Sequence, residues 1–391
     1  MTMKLRCTVC GREFSDDKKI WRCDCGGPLE IIFEDVDYNR IPSKQEIANR
    51  PKTMWRFQEF YPIRNSKNII TLGESITPLT RLNDENDKVL LKLDFLMPTL
   101  SFKDRGTAVL MSKIKELGIQ EIVEDSSGNA GASIAAYAAR AGIKCTIYVP
   151  YYTSGGKVSQ IMLYGANLIK VEGSRDKTAE RALVHAKNTY YASHYWNPYF
   201  LEGIKSFSYE LSEQFNWSVP DFIILPIGSG SFFLGAYKGF KELYNIGWIS
   251  KIPHLIGVQT ECIKPVYNAF HGIKNCNSNN KVTKTVAEGI AITKPIRIKS
   301  IVNAIKGSNG DVITVSENEI ISTLKQITKK GILIEPTSAV TLAAYTKLVN
   351  EGIIDKKDSV VIPLTGSGLK AYRELQEILI REYKGDSKEK S

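Results

Sequence analysis

Short apolar runs and longer mixed segments alternate along most of the chain. VLLKLDF, the apolar part of EIVEDSS, KCTIYVP and NLIKVEG read as strands. Between them, SFKDRGTAVLMSKIKELG, the stretch after SSGNAG, KVSQIMLYGA and SRDKTAERALVHAKNTY read as helices. A second alternation follows: the strand of DFIILPIG and the helix after its glycine loop, the strand HLIGVQT, the helices ISTLKQITKKG and SAVTLAAYTKLVNEG, and the strand SVVIPL. Strands separated by helices of this length predict βαβ units and parallel sheets, an α/β fold. There is no repeat of solenoid period.

With 391 residues, the chain is long enough for two or three domains. The pattern divides into a cysteine-rich module (1–35), a connecting region with the start of a large domain (36–105), a small α/β domain (106–190), a large α/β domain (191–380) and a charged tail (381–391). No run of roughly 18 apolar residues is present, so no membrane helix is expected, and the start MTMKLRCTVC lacks the apolar core of a secretory signal. A cytoplasmic protein is therefore expected. The formal net charge of +10 comes from scattered lysines, with no basic stripe interleaved with aromatics. We read it as a solvated surface that also favours anionic small molecules, rather than a nucleic-acid interface.

Seven cysteines are distributed unevenly, with Cys7, Cys10, Cys23 and Cys25 crowded at the start. An odd total argues against a disulfide framework. Cys7-x2-Cys10 and Cys23-x-Cys25-Gly-Gly resemble the two knuckles of a zinc ribbon, a closed structural site of four thiolates. So short a segment has little core of its own, and bound metal would supply its folding energy.

Four loops carry the candidate chemistry, each where a strand ends or a helix begins, which is where open α/β sheets bind ligands. Lys103, in Ser101-Phe102-Lys103-Asp104-Arg105-Gly106, stands at a helix start, where the dipole lowers an amine pKa and favours attack on a carbonyl. Ser126 to Ser133 places small residues at a helix N-terminus, a ready carboxylate or phosphate site, with the Asn129 amide beside it. Gly228-Ser229-Gly230-Ser231 has the form of a phosphate cup but neither the Walker lysine nor G-x-G-x-x-G spacing. Thr365, in Thr365-Gly366-Ser367-Gly368, offers a hydroxyl at a strand end.

These segments, in this order, resemble the fold-type II pyridoxal phosphate enzymes, and among them the threonine synthase family. LGESITPL is similar to the family's L-G-E-G-x-T-P-L, and KLDFLMPTLSFKDRG to its K-x-E-x-x-N-P-T-x-S-F-K-D-R-G; TVAEGIAI, ILIEPTSAV and PLTGSGLK also have counterparts. The resemblance covers about residues 70–375, and a zinc-ribbon-like start occurs in many archaeal-type members. It implies two parallel-sheet three-layer domains, a homodimer, and conversion of O-phospho-L-homoserine to L-threonine. It also implies roles: Lys103 forms the Schiff base and moves protons, Asn129 bonds the cofactor's ring oxygen, Gly228 to Ser231 hold its phosphate, and Thr365 faces its ring nitrogen. Ser127, Gly128, Asn129 and Ser133 fall where the family holds the substrate carboxylate.

The chain departs from the family where the substrate phosphate is gripped. The pattern N-S-x-N-P-x-R-x-E-G-x-K-T becomes His194-Tyr195-Trp196-Asn197-Pro198-Tyr199-Phe200-Leu201-Glu202-Gly203-Ile204-Lys205-Ser206. Phe200 replaces an arginine, Ala130 a threonine, and Gly228-Ser229-Gly230-Ser231 a G-N-x-G-N loop. Either other cations hold the phosphate, with Lys157, Lys205 and His194 as candidates, or the substrate differs. The second alternative is a β-eliminating or β-replacing relative, similar to a serine/threonine dehydratase or a cysteate synthase. A non-catalytic zinc-ribbon protein is the reading from another class, and a colourless preparation would favour it.

Overall fold

The computed structural model describes residues 2–34, 41–83, 86–153, 155–273 and 284–380. The charged tail expected at 381–391 lies outside the described residues. Three sheets organise the chain. The first is antiparallel, in the order β2-β1-β3, from β1 (Thr2–Cys7), β2 (Glu13–Ser15) and β3 (Leu29–Glu34). The other strands are β4 (Leu79–Asn83), β5 (Asn86–Lys92), β6 (Glu121–Glu124), β7 (Lys144–Pro150), β8 (Asn167–Val171), β9 (Tyr190–Tyr191), β10 (Phe222–Pro226), β11 (His254–Thr260), β12 (Asp311–Val315) and β13 (Val360–Pro363).

They form a four-stranded parallel sheet, β8-β7-β6-β9, and a six-stranded sheet, β12-β11-β10-β13-β5-β4, parallel except at its β4 edge. The central strand β13 is buried at every position. This accounts for its unbroken apolar run, since parallel strands covered on both faces do not alternate. No helix among the described residues is long and apolar enough to cross a membrane.

Three element boundaries differ from the sequence expectation, each for a local reason. The strand expected in VLLKLDF ends at Lys92, because Asp94 turns inward to Arg105. The helix expected from Ile321 begins at Glu317, where Ser316 and Glu319 form a capping box. β9 is only two residues long, too short to show a pattern.

The helix Lys103–Glu116 packs against both the Asn129–Ala141 helix and the Pro198–Ile204 helix. At Gly203 the approach is so close that a Cβ would overlap the Arg105 carbonyl. The N-terminal sheet docks on this assembly through Trp21, edge-on to Tyr191 at 4.9 Å and to Trp196 at 5.7 Å. A buried Lys113–Asp16 ion pair of 3.1 Å and the bond from the Arg297 guanidinium to the Leu29 carbonyl, 2.8 Å, add to the contact.

Candidate active site

One cleft, a cavity of about 160 Å³, gathers strand ends from both parallel sheets. From the six-stranded sheet come Lys103, the Gly228–Ser231 loop and Thr365; from the four-stranded sheet come Ser127 to Ala130, Arg175, His194 and Tyr195.

Backbone pairing between distant loops fixes the position of Lys103. The Phe102 amide donates to the Thr365 carbonyl at 3.0 Å, the Ser367 amide to the Leu100 carbonyl at 3.1 Å, and the Glu335 amide to the Gly366 carbonyl at 3.0 Å. The two residues after Lys103 are tied inward. Asp104 accepts from the Thr99 amide and hydroxyl, each at 2.6 Å, and from the Ser133 hydroxyl at 2.6 Å. Arg105 grips Asp94 with two bonds of 2.8 and 2.9 Å and reaches Glu210 at 2.8 Å, all fully buried. Lys103 itself is left facing the cavity. Burial pulls its amine down to about 8, a shift opposed by Glu124 and Glu335 and aided by Arg175.

Two other lysines line the cleft, and both are engaged. Lys157 is paired with Glu335 at 2.6 Å, and Lys370 donates to the Thr99 carbonyl at 2.6 Å. Glu335 also accepts from the Asn129 amide at 2.7 Å, while the Asn129 carbonyl oxygen is buried with no partner.

On the opposite wall, Gly230 takes the left-handed backbone (φ +82°) that lets the loop turn into the Ser231–Asn245 helix. The Ser229 and Ser231 hydroxyls lie 3.3 Å apart at that helix start, among amides without intrahelical partners. The Thr365 hydroxyl meets that of Ser338 at 3.0 Å, so no charge is provided there.

Three expectations are corrected. Lys205 is not in the cleft: it is fully buried between Glu202 (2.7 Å) and Glu242 (2.9 Å), which hold its amine charged and spent. Ser133 does not line the cavity; its hydroxyl points back to Asp104 and Thr107. His194 does line it, but not as a cation. Burial, with the Lys103 and Arg175 charges adding to it, holds the imidazole well below its ordinary value. Its Nδ1 lies 2.8 Å from Glu124, whose carboxyl burial drives well above the usual range.

Sequence reasoning passed over Arg175, Glu335 and Lys370. The strand-end rule would have found Arg175, which follows β8 by four residues.

The family model of pyridoxal-phosphate dependent enzymes matches residues 70–366. The chain belongs to that family. Among similar proteins, the threonine synthase of Methanocaldococcus jannaschii is 36% identical, over 94% of this chain and 93% of its own. That of Methanosarcina acetivorans is 32% identical, over 94% and 92%. Among solved structures, threonine deaminase isoform 2 from Solanum lycopersicum superposes with a TM-score of 0.68 at 17% identity, covering 84% of this chain and 90% of that one. Maize serine racemase superposes with a TM-score of 0.64 at 21% identity, covering 78% and 93%. At these identities the two structures attest the fold, the fold-type II arrangement of pyridoxal phosphate enzymes.

The residues present fit the family's cofactor. An amine without an ion pair among the described residues, a serine-and-amide cup for a phosphate, a side-chain amide oxygen without a partner among them and a neutral hydroxyl meet in one cleft. A pH dependence follows from Lys103. Only the neutral amine attacks a carbonyl, and its neutral fraction grows as pH rises through about 8. Stripped enzyme should therefore recapture pyridoxal phosphate faster as pH rises, levelling off above about 8, in rapid-mixing absorbance measurements. A rate still climbing steeply toward the ordinary lysine value of 10.5 would contradict the assignment.

Proposed function

We propose that this chain converts O-phospho-L-homoserine and water to L-threonine and phosphate. The observation that carries the reading is the match over 93% of a threonine synthase's length at 36% identity, around a cleft equipped for the cofactor. Pyridoxal phosphate, when bound, supplies the electron-withdrawing ring that makes the substrate Cα proton acidic.

The chain's residues supply the rest. Lys103 Nζ would hold the cofactor and then carry the proton at Cα. The Gly228–Ser231 amides and hydroxyls would hold the cofactor phosphate. Ser127, Gly128 and Asn129, at a helix N-terminus, take the substrate carboxylate. Thr365, hydrogen-bonded to Ser338, would offer the ring nitrogen no charge, which would disfavour transamination relative to elimination and replacement.

The reading extends to a homodimer in the cytoplasm and to zinc at the N-terminal module, as a zinc ribbon. The sulfurs of Cys7, Cys10, Cys23 and Cys25 all lie within 4.8 Å of one another, with Cys7–Cys25 at 3.5 Å and Cys10–Cys23 at 3.6 Å. Tetrahedral zinc with bonds of about 2.3 Å needs sulfurs about 3.8 Å apart. One zinc per chain is expected on elemental analysis.

Phe200, where the family carries arginine, favours the second reading, elimination or replacement on a smaller amino acid. A substrate panel separates the two. Phosphate and threonine formed together from O-phospho-L-homoserine is the expected result. Ammonia and a 2-oxo acid from serine or threonine, with O-phospho-L-homoserine inert, would decide for the second.

A further inference from the structure

The ring of Phe200 is fully buried. It packs edge-on to His194 at 5.9 Å, lies 5.9 Å from Lys103 Nζ, and fills the space up to Gly106, where a Cβ would come within 2.7 Å of it. Buried behind the cleft lining, it offers an anion nothing. If a phosphorylated substrate enters, its charge must be met elsewhere.

Besides Lys103, three cations line the cleft. Lys157 is neutralised by Glu335, and Lys370 is bound to a backbone carbonyl. Arg175 differs from Lys157 in having no acid partner among the described residues and from Lys370 in carrying a planar fork rather than a single ammonium. Its guanidinium donates to the Tyr195 hydroxyl, and no carboxylate among the described residues lies within ion-pair distance of it. Asp125 and Glu124 act on it only at longer range, and each is bonded elsewhere: Asp125 accepts from the Tyr191 hydroxyl at 2.6 Å, and Glu124 contacts His194 at 2.8 Å. Arg175 follows β8 of the four-stranded sheet, whereas the Gly228–Ser231 loop follows β10 of the six-stranded sheet.

We propose that Arg175, steadied by the Tyr195 hydroxyl, binds the phosphate of a phosphomonoester substrate and so replaces the arginine this chain lacks at position 200. The inference rests on the threonine synthase reading and names the residue that makes it possible. A guanidinium suits the task because its planar fork meets two phosphate oxygens at once. Tyr195 turns that fork with a neutral oxygen, which leaves the positive charge available. Arg175 would thus supply the charge that Phe200 does not.

The test uses holoenzyme of the wild type, Arg175→Gln, Arg175→Lys and Tyr195→Phe, with visible absorbance confirming bound cofactor in each. Losing a charge-assisted bidentate contact corresponds to roughly a 10- to 100-fold effect. Arg175→Gln is expected to raise KM for O-phospho-L-homoserine by that factor and to weaken calorimetric binding of inorganic phosphate equally. Arg175→Lys should recover part of both, and Tyr195→Phe should fall between Arg175→Gln and wild type. Unchanged KM and phosphate binding in Arg175→Gln would overturn the inference, as would an equal loss on an unphosphorylated amino acid. A wild type inert toward O-phospho-L-homoserine would sink the threonine synthase reading instead; phosphate calorimetry would still decide whether Arg175 binds the anion.

Discussion

Lys103→Ala is expected to leave a folded protein that turns over substrate at least about 10³-fold more slowly, within the range that general acid–base groups contribute. The expectation follows from the arrangement around the amine. The backbone just before Lys103 is pinned by the Thr365–Ser367 segment, and Asp104 and Arg105 after it are tied by their buried side chains, so removing the Lys103 side chain should not disturb the helix start. No neighbouring amine can take over without giving up a partner, because Lys157 is held by Glu335 and Lys370 by the Thr99 carbonyl. The cofactor should still enter through the Gly228–Ser231 loop, but without a covalent tie. Steady-state assays with circular dichroism check both halves. A variant within tenfold of wild type would show that another group carries the chemistry.

Arg105→Ala is expected to destabilise the fold by about 3–5 kcal/mol, the usual consequence of removing one partner from a buried charge cluster. Asp94, Arg105, Glu210 and Lys92 are all fully buried, and the Thr77 hydroxyl bonds to both carboxylates. With both Arg105 and Lys92 beside it, the Glu210 carboxyl is held down at about 2, although burial alone would raise it. Without the guanidinium, Asp94 loses its two bonds and Glu210 keeps only Lys92 among the basic side chains that bond it. Arg105→Lys should recover little, since an ammonium cannot reproduce the two-pronged contact with Asp94. A denaturation midpoint lowered by several degrees is the expected result. A loss under about 1 kcal/mol, as for an exposed pair, would contradict the reading.

How far the site could be read from the sequence depended on where each residue's partners lie. Lys103 and the loops at Asn129, Gly228 and Thr365 were legible because their cues are local. Each joins a strand end to small residues or a helix start, and the strand-end rule then brings them together. Lys205 was misjudged because one of its partners is Glu242, far along the chain on another helix, and such an ion pair leaves no pattern in the sequence. Ser133 failed for the same reason: in the folded chain its hydroxyl turns to Asp104 and away from the cavity. His194 lines the cleft, but its charge state depends on burial that only the assembled fold creates. Arg175 offered one local signal, its closeness to the end of β8, but one arginine after a capping serine also reads as an ordinary solvated helix start. The parallel sheets themselves were legible, since buried strands such as β13 carry unbroken apolar runs between helices.

The central claim is that Lys103, of the three lysines lining the cleft, anchors the cofactor. Borohydride reduction of the holoenzyme, followed by proteolysis and mass spectrometry, tests it directly. A single phosphopyridoxyl-modified peptide is expected, with the label on Lys103. Label on Lys157 or Lys370, or no label on any peptide of the cleft, would contradict it.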